Sequence, residues 1–296
     1  MSTVEGAGTL YVVSTPIGNM GDFSFRAVEV LNSVALILAE DTRHTRNLLE
    51  RYEIKTPTTS YHEHNEAKTT PALVARLERG ESLALVSDAG TPLLSDPGAR
   101  LVQAAIGAGI DVVAIPGASA LLSALVVAGL DTDRFTFFGF LTRTGRERRA
   151  VLDEIGTLAH TAVLYEAPNR VADTLAAIES AGGGARPAAV AREMTKQFEE
   201  IRRGTVSDLR AYYENTPPRG EIVIVIGAAI REIASDELVR ERVRTLRSSG
   251  VSSRDAAAQV ATELGVPKRV AYRYAQEWGG GDVAPDDDRG DEGSSE

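Results

Sequence analysis

The chain reads as an α/β protein of two layered domains followed by a small helical domain at its carboxyl end, and three observations predict this. Short apolar, β-branched runs alternate with helix-patterned segments up to about Ala128. From Asp131 a strand-rich stretch follows in which helical patterns separate only some of the runs. From Ser235 short capped helices take over. Uniformly apolar strands alternating with helices predict a mostly parallel first sheet covered on both faces, and the irregular alternation after it predicts a mixed second sheet. A length of 296 residues fits two domains of roughly 150 residues. The expected divisions are 1–118, 119–230, 235–278 and a tail, 279–296.

The elements follow in order. Thr9 to Thr15 (TLYVVST) is a buried strand that ends in the tight turn Pro16-Ile17-Gly18-Asn19. Ser24 to Asn32 is helical, Val34 to Ala39 a second strand and Thr42 to Tyr52 a helix. Helices at Pro71 to Arg79, Pro97 to Gly107 and Ala118 to Ala128 alternate with strands at Leu83 to Ser87 and Val112 to Ile115. Gly107-Ala108-Gly109 follows a helix and precedes a strand, the reverse of a dinucleotide fingerprint, so it reads as a helix terminus. Arg134 to Phe140, Ala162 to Tyr165, Ala188 to Ala191, Glu200 to Gly204 and Glu221 to Gly227 are the strands of the second domain.

Towards the carboxyl end, Ser252 or Ser253 caps a helix that runs to Leu264. Gly265-Val266-Pro267 closes that helix and opens another over Lys268 to Glu277. The pair resembles a helix-turn-helix; a plain bundle packing on the body is the alternative, because the pattern alone specifies no groove contact. The segment from Gly281 sets seven acids against Arg289 alone and has no apolar anchors, which predicts disorder.

Composition excludes whole classes of chemistry. The absence of cysteine rules out disulfides, thiolate zinc, iron–sulfur clusters and cysteine nucleophiles. The apolar stretch Ala120 to Leu130 falls well short of the roughly 20 residues that span a bilayer, and no basic residue precedes Arg26, so neither a membrane partner nor a secretory signal is expected and the expected location is cytoplasmic. A formal charge of −10 hides basic stretches: Arg143, Arg146, Arg148 and Arg149 surround only Glu147 in an expected loop, and residues 237–278 carry eight bases against five acids. Patches rather than net charge therefore decide whether nucleic acid is a partner. No P-loop or H-E-x-x-H motif is present, and His62-Glu63-His64 reads as surface loop, so no metal is expected.

Three small-residue turns stand out, each directly after an apparent strand: Ser14-Thr15-Pro16-Ile17-Gly18-Asn19, Ser87 to Gly98 (SDAGTPLLSDPG) and Ile115 to Ala120 (IPGASA). Glycine and proline permit sharp turns and close backbone approach, while Ser, Thr and Asp supply polar anchors. At equivalent ends of successive parallel strands such turns converge on one ligand pocket.

With Ala39-Glu40-Asp41-Thr42-Arg43, Tyr165 to Arg170 (YEAPNR) and Arg192 to Glu200 (REMTKQFEE), these turns resemble the tetrapyrrole-methylase superfamily, and within it the small-subunit ribosomal RNA methyltransferases. The resemblance runs from about Thr9 to Gly227 and extends to the helical end. It implies two α/β domains with S-adenosylmethionine in the cleft between them, a homodimer, and methylation of the ribose 2′-oxygen of a cytidine in the decoding region of small-subunit rRNA, as free RNA or in the assembled small ribosomal subunit. Carried onto this sequence, it implies cofactor contacts from Pro16, Ile17 and Gly18; from Asp88, Gly90 and Thr91; and from Pro116, Gly117, Ser119 and Ala120. Tyr165, Glu166 and Met194 would face the site from the second domain.

For such a reaction Glu40 and Asp41 are candidates to accept the hydroxyl proton or orient the sugar, with a helix cap as their alternative role. Lys196 and Arg192 are candidates to hold phosphate or developing charge, with pairing of Lys196 to Glu199 or Glu200 as the alternative. Arg43, Arg46 and Arg170, with the Arg143 and Arg146 stretch, are candidates to touch RNA backbone. Two other functions stay open at this stage: carbon methylation of a tetrapyrrole, and non-catalytic RNA binding in ribosome assembly.

Overall fold

The computed structural model describes residues 6–229 and 235–278. The acidic segment 279–296, expected to be disordered, lies outside the described residues. Contacts between Cα atoms group the chain into one unit through Ala229 and another from Ile230.

The first unit carries two five-stranded sheets. In the first, β1 (Leu10–Val13), β2 (Leu36–Ala39), β3 (Thr58–Ser60), β4 (Leu83–Val86) and β5 (Val112–Ile115) lie in the order β3-β2-β4-β1-β5. Every pairing is parallel, as the apolar strands predict. Side chains alternate between the faces. Ile37, Ala39, Ala84 and Val86 pack with α1 (Phe25–Ser33) and α2 (Thr42–Arg51). Leu36, Leu38, Leu83 and Leu85 pack with α3 (Glu66–Glu78) and α4 (Ala99–Gly107). Each fully buried leucine contributes about 2 kcal/mol, so both faces hold the sheet.

Two elements here differ from expectation. The helix assigned to Pro71–Arg79 begins at Glu66 and carries Pro71 inside it. Proline favours the first helical turn, but here Thr69 and Thr70 return hydroxyl hydrogen bonds to the Asn65 and Glu66 carbonyls, and the buried Leu73 and Leu77 anchor the segment. The edge strand β3 has three exposed residues and leaves no apolar signature.

After α5 (Ala120–Val127), the second sheet contains β6 (Phe135–Phe140), β7 (Thr161–Glu166), β8 (Pro187–Arg192), β9 (Glu200–Thr205) and β10 (Ile222–Ile226), in the order β6-β7-β10-β8-β9. It is mixed, as expected: β6 runs parallel to β7, while β10 is antiparallel to β7 and β8, and β9 antiparallel to β8. One face packs on α6 (Gly145–Thr157), α7 (Val171–Ile178) and α8 (Val206–Asn215). The other packs on α5 and Ile17, joining the two sheets through one apolar cluster.

The basic stretch expected as a loop is corrected. Arg146, Arg148 and Arg149 lie in α6, held down by buried Leu152 and Ile155 at helical spacing.

In the second unit, α9 (Asp236–Ser248), α10 (Ser253–Leu264) and α11 (Lys268–Glu277) bury Val239, Val243, Ala257, Val260, Ala271 and Tyr274 together. Ser252 caps α10, and Gly265 ends it at φ 64°, the left-handed conformation that a helix terminus of this type requires. Among the described residues no helix is long and apolar enough to cross a membrane.

Candidate active site

Because the strands of the first sheet are parallel, the turns after β1, β4 and β5 leave from one edge, and hydrogen bonds tie them to each other. Thr15 and Gly90 exchange backbone hydrogen bonds at 2.8 and 3.1 Å, and the Ser14 N–H donates to the Ile115 carbonyl at 3.1 Å. Ser14 and Thr91 share a hydroxyl hydrogen bond at 3.0 Å, Thr91 donates to the Ala118 carbonyl at 3.2 Å, and Thr15 donates to the Ser87 carbonyl at 3.1 Å. A net gain of about 1 kcal/mol per bond makes the knot as firm as a short stretch of sheet. Two glycines are required by it. Gly90 sits at φ 85°, and a Cβ on Gly117 would lie 2.9 Å from that of Ser14.

The knotted turns form one wall of a cavity of about 410 Å³. Ile17, Asp88, Gly90, Thr91, Ser119 and Ala120, six of the residues named for the cofactor, line it from the turns of the first sheet. Tyr165, Glu166, Ile222 and Val223 line it from the second. Ser119 caps α5, so the positive end of that helix opens on the cavity. Tyr165 packs against Phe137 and Phe140 at 4.9 and 5.3 Å and accepts the Leu121 N–H; burial pushes its phenol above the ordinary range.

One side of the cavity is anionic, with Glu40, Asp88 and Asp96 together. Burial, reinforced by the charge of Asp88, raises the Glu40 carboxyl above its ordinary value. Burial, then the neighbouring Glu40 charge, pushes Asp96 up to about 6, although Ser87 donates to it. Asp96 was not singled out in the sequence; its Asp-Pro-Gly setting after a strand is the one local hint. Asp41 is placed elsewhere. It caps α2 by accepting the Arg43 N–H at 2.8 Å and pairs with the Arg43 guanidinium, which holds its carboxyl at about 2.

Pro16, Gly18 and Lys196 line a second cavity of about 220 Å³, which shares Ile17, Asp88, Ala89 and Glu221 with the first. Lys196 bonds Glu193 and Glu221, both at 3.1 Å, rather than Glu199 or Glu200. Burial opposes its charge, but the two carboxylates outweigh that and keep its pKa above the ordinary value. Its stem lies so close to Gly18, at φ 142°, that a Cβ there would meet it at 2.4 Å. Pro116, Gly117 and Met194 line neither cavity; Met194 is buried in the apolar cluster between the sheets.

Glu166 is held by its own surroundings as well. It accepts hydrogen bonds from Thr174 and the Ala167 N–H and pairs with Arg170 at 3.2 Å. Four of the five non-glycine residues with left-handed φ among the described residues, Leu93, Ser95, Glu193 and Thr195, fall in the two segments that carry Asp96 and Lys196. Such conformations cost about 1–3 kcal/mol each and concentrate where ligands are clamped.

The arginines nominated for RNA divide. Arg43, Arg46, Arg143 and Arg146 are exposed. Arg170 braces Glu166 and the Leu141 carbonyl, and Arg192 pairs with Glu200 and donates to the Phe198 carbonyl. In the helical unit, Arg254, Lys268, Arg269 and Tyr272 line one concavity that contains no acid.

A knot of strand-end turns around a cavity closed by a second, mixed sheet defines a class of protein, and comparison agrees. The chain belongs to the tetrapyrrole (corrin/porphyrin) methylase family, whose model matches residues 9–210. It is 46% identical to the ribosomal RNA small subunit methyltransferase I of Synechocystis sp., over 91% of this chain and 98% of that protein. It is 41% identical to the protein of the same name from Bacillus subtilis, over 90% of this chain and 93% of the relative. Among solved structures it resembles a uroporphyrin-III C-methyl transferase from Thermus thermophilus, complexed with S-adenyl homocysteine, at a TM-score of 0.55 and 16% identity, covering 76% of this chain and 99% of that one. The methyltransferase CobJ matches at a TM-score of 0.57 and 18% identity, over 75% and 95%. At such identities the structures speak for the fold alone.

Proposed function

We propose that this chain is an S-adenosylmethionine-dependent methyltransferase that acts on the ribose 2′-oxygen of a cytidine in the decoding region of small-subunit ribosomal RNA. The observation that carries the reading is the cavity bounded by three mutually bonded turns, in a chain that matches small-subunit rRNA methyltransferases over nine-tenths of its length.

The residues present fit that donor. A volume of about 410 Å³ lies in the usual range for a small-molecule site. The carboxylates of Glu40, Asp88 and Asp96 suit a positively charged ligand, Ile17, Phe140 and Val223 suit a flat apolar ring, and the α5 amino terminus suits a carboxylate. Bound there, S-adenosylmethionine supplies an electrophilic methyl group on a sulfonium. The protein's part is to hold the ribose hydroxyl in line with that methyl and to take its proton as the oxygen is methylated. Glu40 and Asp96, with pKa values raised toward the working pH, are the proton acceptors in this scheme. The Lys196 ammonium, held by Glu193 and Glu221, steadies negative charge near the oxygen. Pro116, Gly117 and Met194 shape the site through packing, and the exposed Arg43, Arg46, Arg143 and Arg146 meet RNA phosphates.

We also propose a homodimer. Its support is the apolar pair Leu122 and Val126, one turn apart on α5 and more than half exposed. We place it in the cytoplasm, with the small ribosomal subunits that are its proposed substrate. Incubation with methyl-labelled S-adenosylmethionine and small subunits lacking this methyl tests the function. Label on a cytidine 2′-oxygen is the expected result; label on a base, or only on a porphyrinoid, contradicts it.

A further inference from the structure

The smaller cavity adjoins the one assigned to the donor, is lined by Pro16 and Gly18 of the first turn, and is built as a site. It measures about 220 Å³, below the roughly 300 Å³ at which sites for drug-sized ligands begin, so it suits one extruded nucleoside rather than a second cofactor. Its walls come from α2 (His44, Thr45, Asn47 and Leu48), from the turn after β1, and from Lys196. Thr45 is 3% exposed, and its hydroxyl has no hydrogen-bond partner among the described residues. A buried hydroxyl left alone costs about 1–3 kcal/mol, which a ligand's polar edge would recover.

We propose that this cavity seats the target nucleoside, with the base against α2 and the ribose at the wall shared with the larger cavity. The proposal rests on the methyltransferase reading and adds where the substrate sits. Leu48, Met20 and Ile17 are apolar surfaces for the faces of a base. The Asn47 amide both donates and accepts, as does the Thr45 hydroxyl, which matches the amino group and carbonyl of a cytosine edge. Ile17, Asp88, Ala89 and Glu221 line both cavities, so a sugar at that boundary lies beside the donor and within the field of the carboxylate wall. Taking a nucleotide out of its stack into a pocket is how enzymes reach atoms hidden in folded RNA.

The test uses the full chain with small subunits lacking this methyl, and compares Thr45→Val and Asn47→Ala with the parent protein. The expected result is a fall in kcat/KM of about tenfold or more, since a good polar contact to a base edge is worth that much discrimination. Affinity for S-adenosylhomocysteine stays unchanged, the thermal midpoint rises in Thr45→Val, which removes an unpartnered buried hydroxyl, and is unchanged in Asn47→Ala, and Asn47→Ala narrows the preference for cytidine over uridine at the target position. Unchanged kcat/KM overturns the proposal, and so does donor affinity that falls in step with activity, which would assign the cavity to the donor. If the parent protein methylates no ribose, the functional reading fails by itself. The seat is then read from the Asn47 side-chain NMR signal of donor-saturated protein titrated with cytidine 5′-monophosphate: a shift lost in Thr45→Val supports it, and no shift overturns it.

Discussion

Asp96 is a carboxylate whose charge is opposed by its burial, by Glu40 and by Asp88. Its folded-state pKa, about 6, lies above its ordinary 3.8, so the folded protein binds this proton more readily than the unfolded chain. Stability from this residue is therefore present below about pH 4, is lost as pH rises through 6, and stays lost above. Asp96→Asn should stabilise the protein at pH 8 by about 2–3 kcal/mol, at about 1.4 kcal/mol per pH unit, and leave it unchanged at pH 4, as urea titrations at the two values will show. The same substitution should slow methylation and flatten the acid limb of the rate profile near pH 6. Glu166→Ala strands the partly buried Arg170 and should cost about 3 kcal/mol in a urea titration. The turns that bear Asp88, Gly90 and Thr91 are legible because glycine and proline after an apolar run mark a strand end locally. The role of Asp96 is not, because it depends on burial and on Glu40, which another strand, β2, brings to it.

Among the elements, strands with continuous apolar runs and helices with clear caps can be read from residue order: β1, β2, β4, β10, α10 and α11 are within a few residues of expectation. The elements hidden in the sequence share a physical cause. Edge strand β3 buries nothing, α6 opens on a run of arginines, and α8 begins with a Thr205–Asp208 capping box directly after an expected strand. Lys196 shows the same limit, since its stem covers Gly18 and its ammonium bonds Glu221, contacts made only when the second sheet closes over the first turn. In the proposed dimer the exposed face of α5 is the interface. Leu122→Glu with Val126→Glu should shift the mass measured by light scattering from dimer to monomer while the circular dichroism spectrum stays unchanged; a persistent dimer places the interface elsewhere.

At the scale of the molecule, we propose that the helical unit adds RNA contacts to those of the exposed arginines of the first unit. The first unit holds both cavities, and the second offers Arg254, Lys268, Arg269 and Tyr272 without a competing acid. Replacing the three bases by alanine should lower the slope of log affinity for small subunits against log salt by about 2 and leave donor affinity unchanged, as binding titrations across a salt series will show. The excess of bases over residues 237–278 is visible in composition, but the concavity that gathers Arg254, Lys268, Arg269 and Tyr272 is made by the packing of two helices, just as the site between the sheets is assembled by the fold. The most direct measurement is a crystal structure with S-adenosylhomocysteine. The account predicts the ligand in the larger cavity, against Ile17, Asp88, Thr91 and Ser119, with its sulfur facing the wall shared with the smaller one. A ligand bound away from the three knotted turns would contradict it.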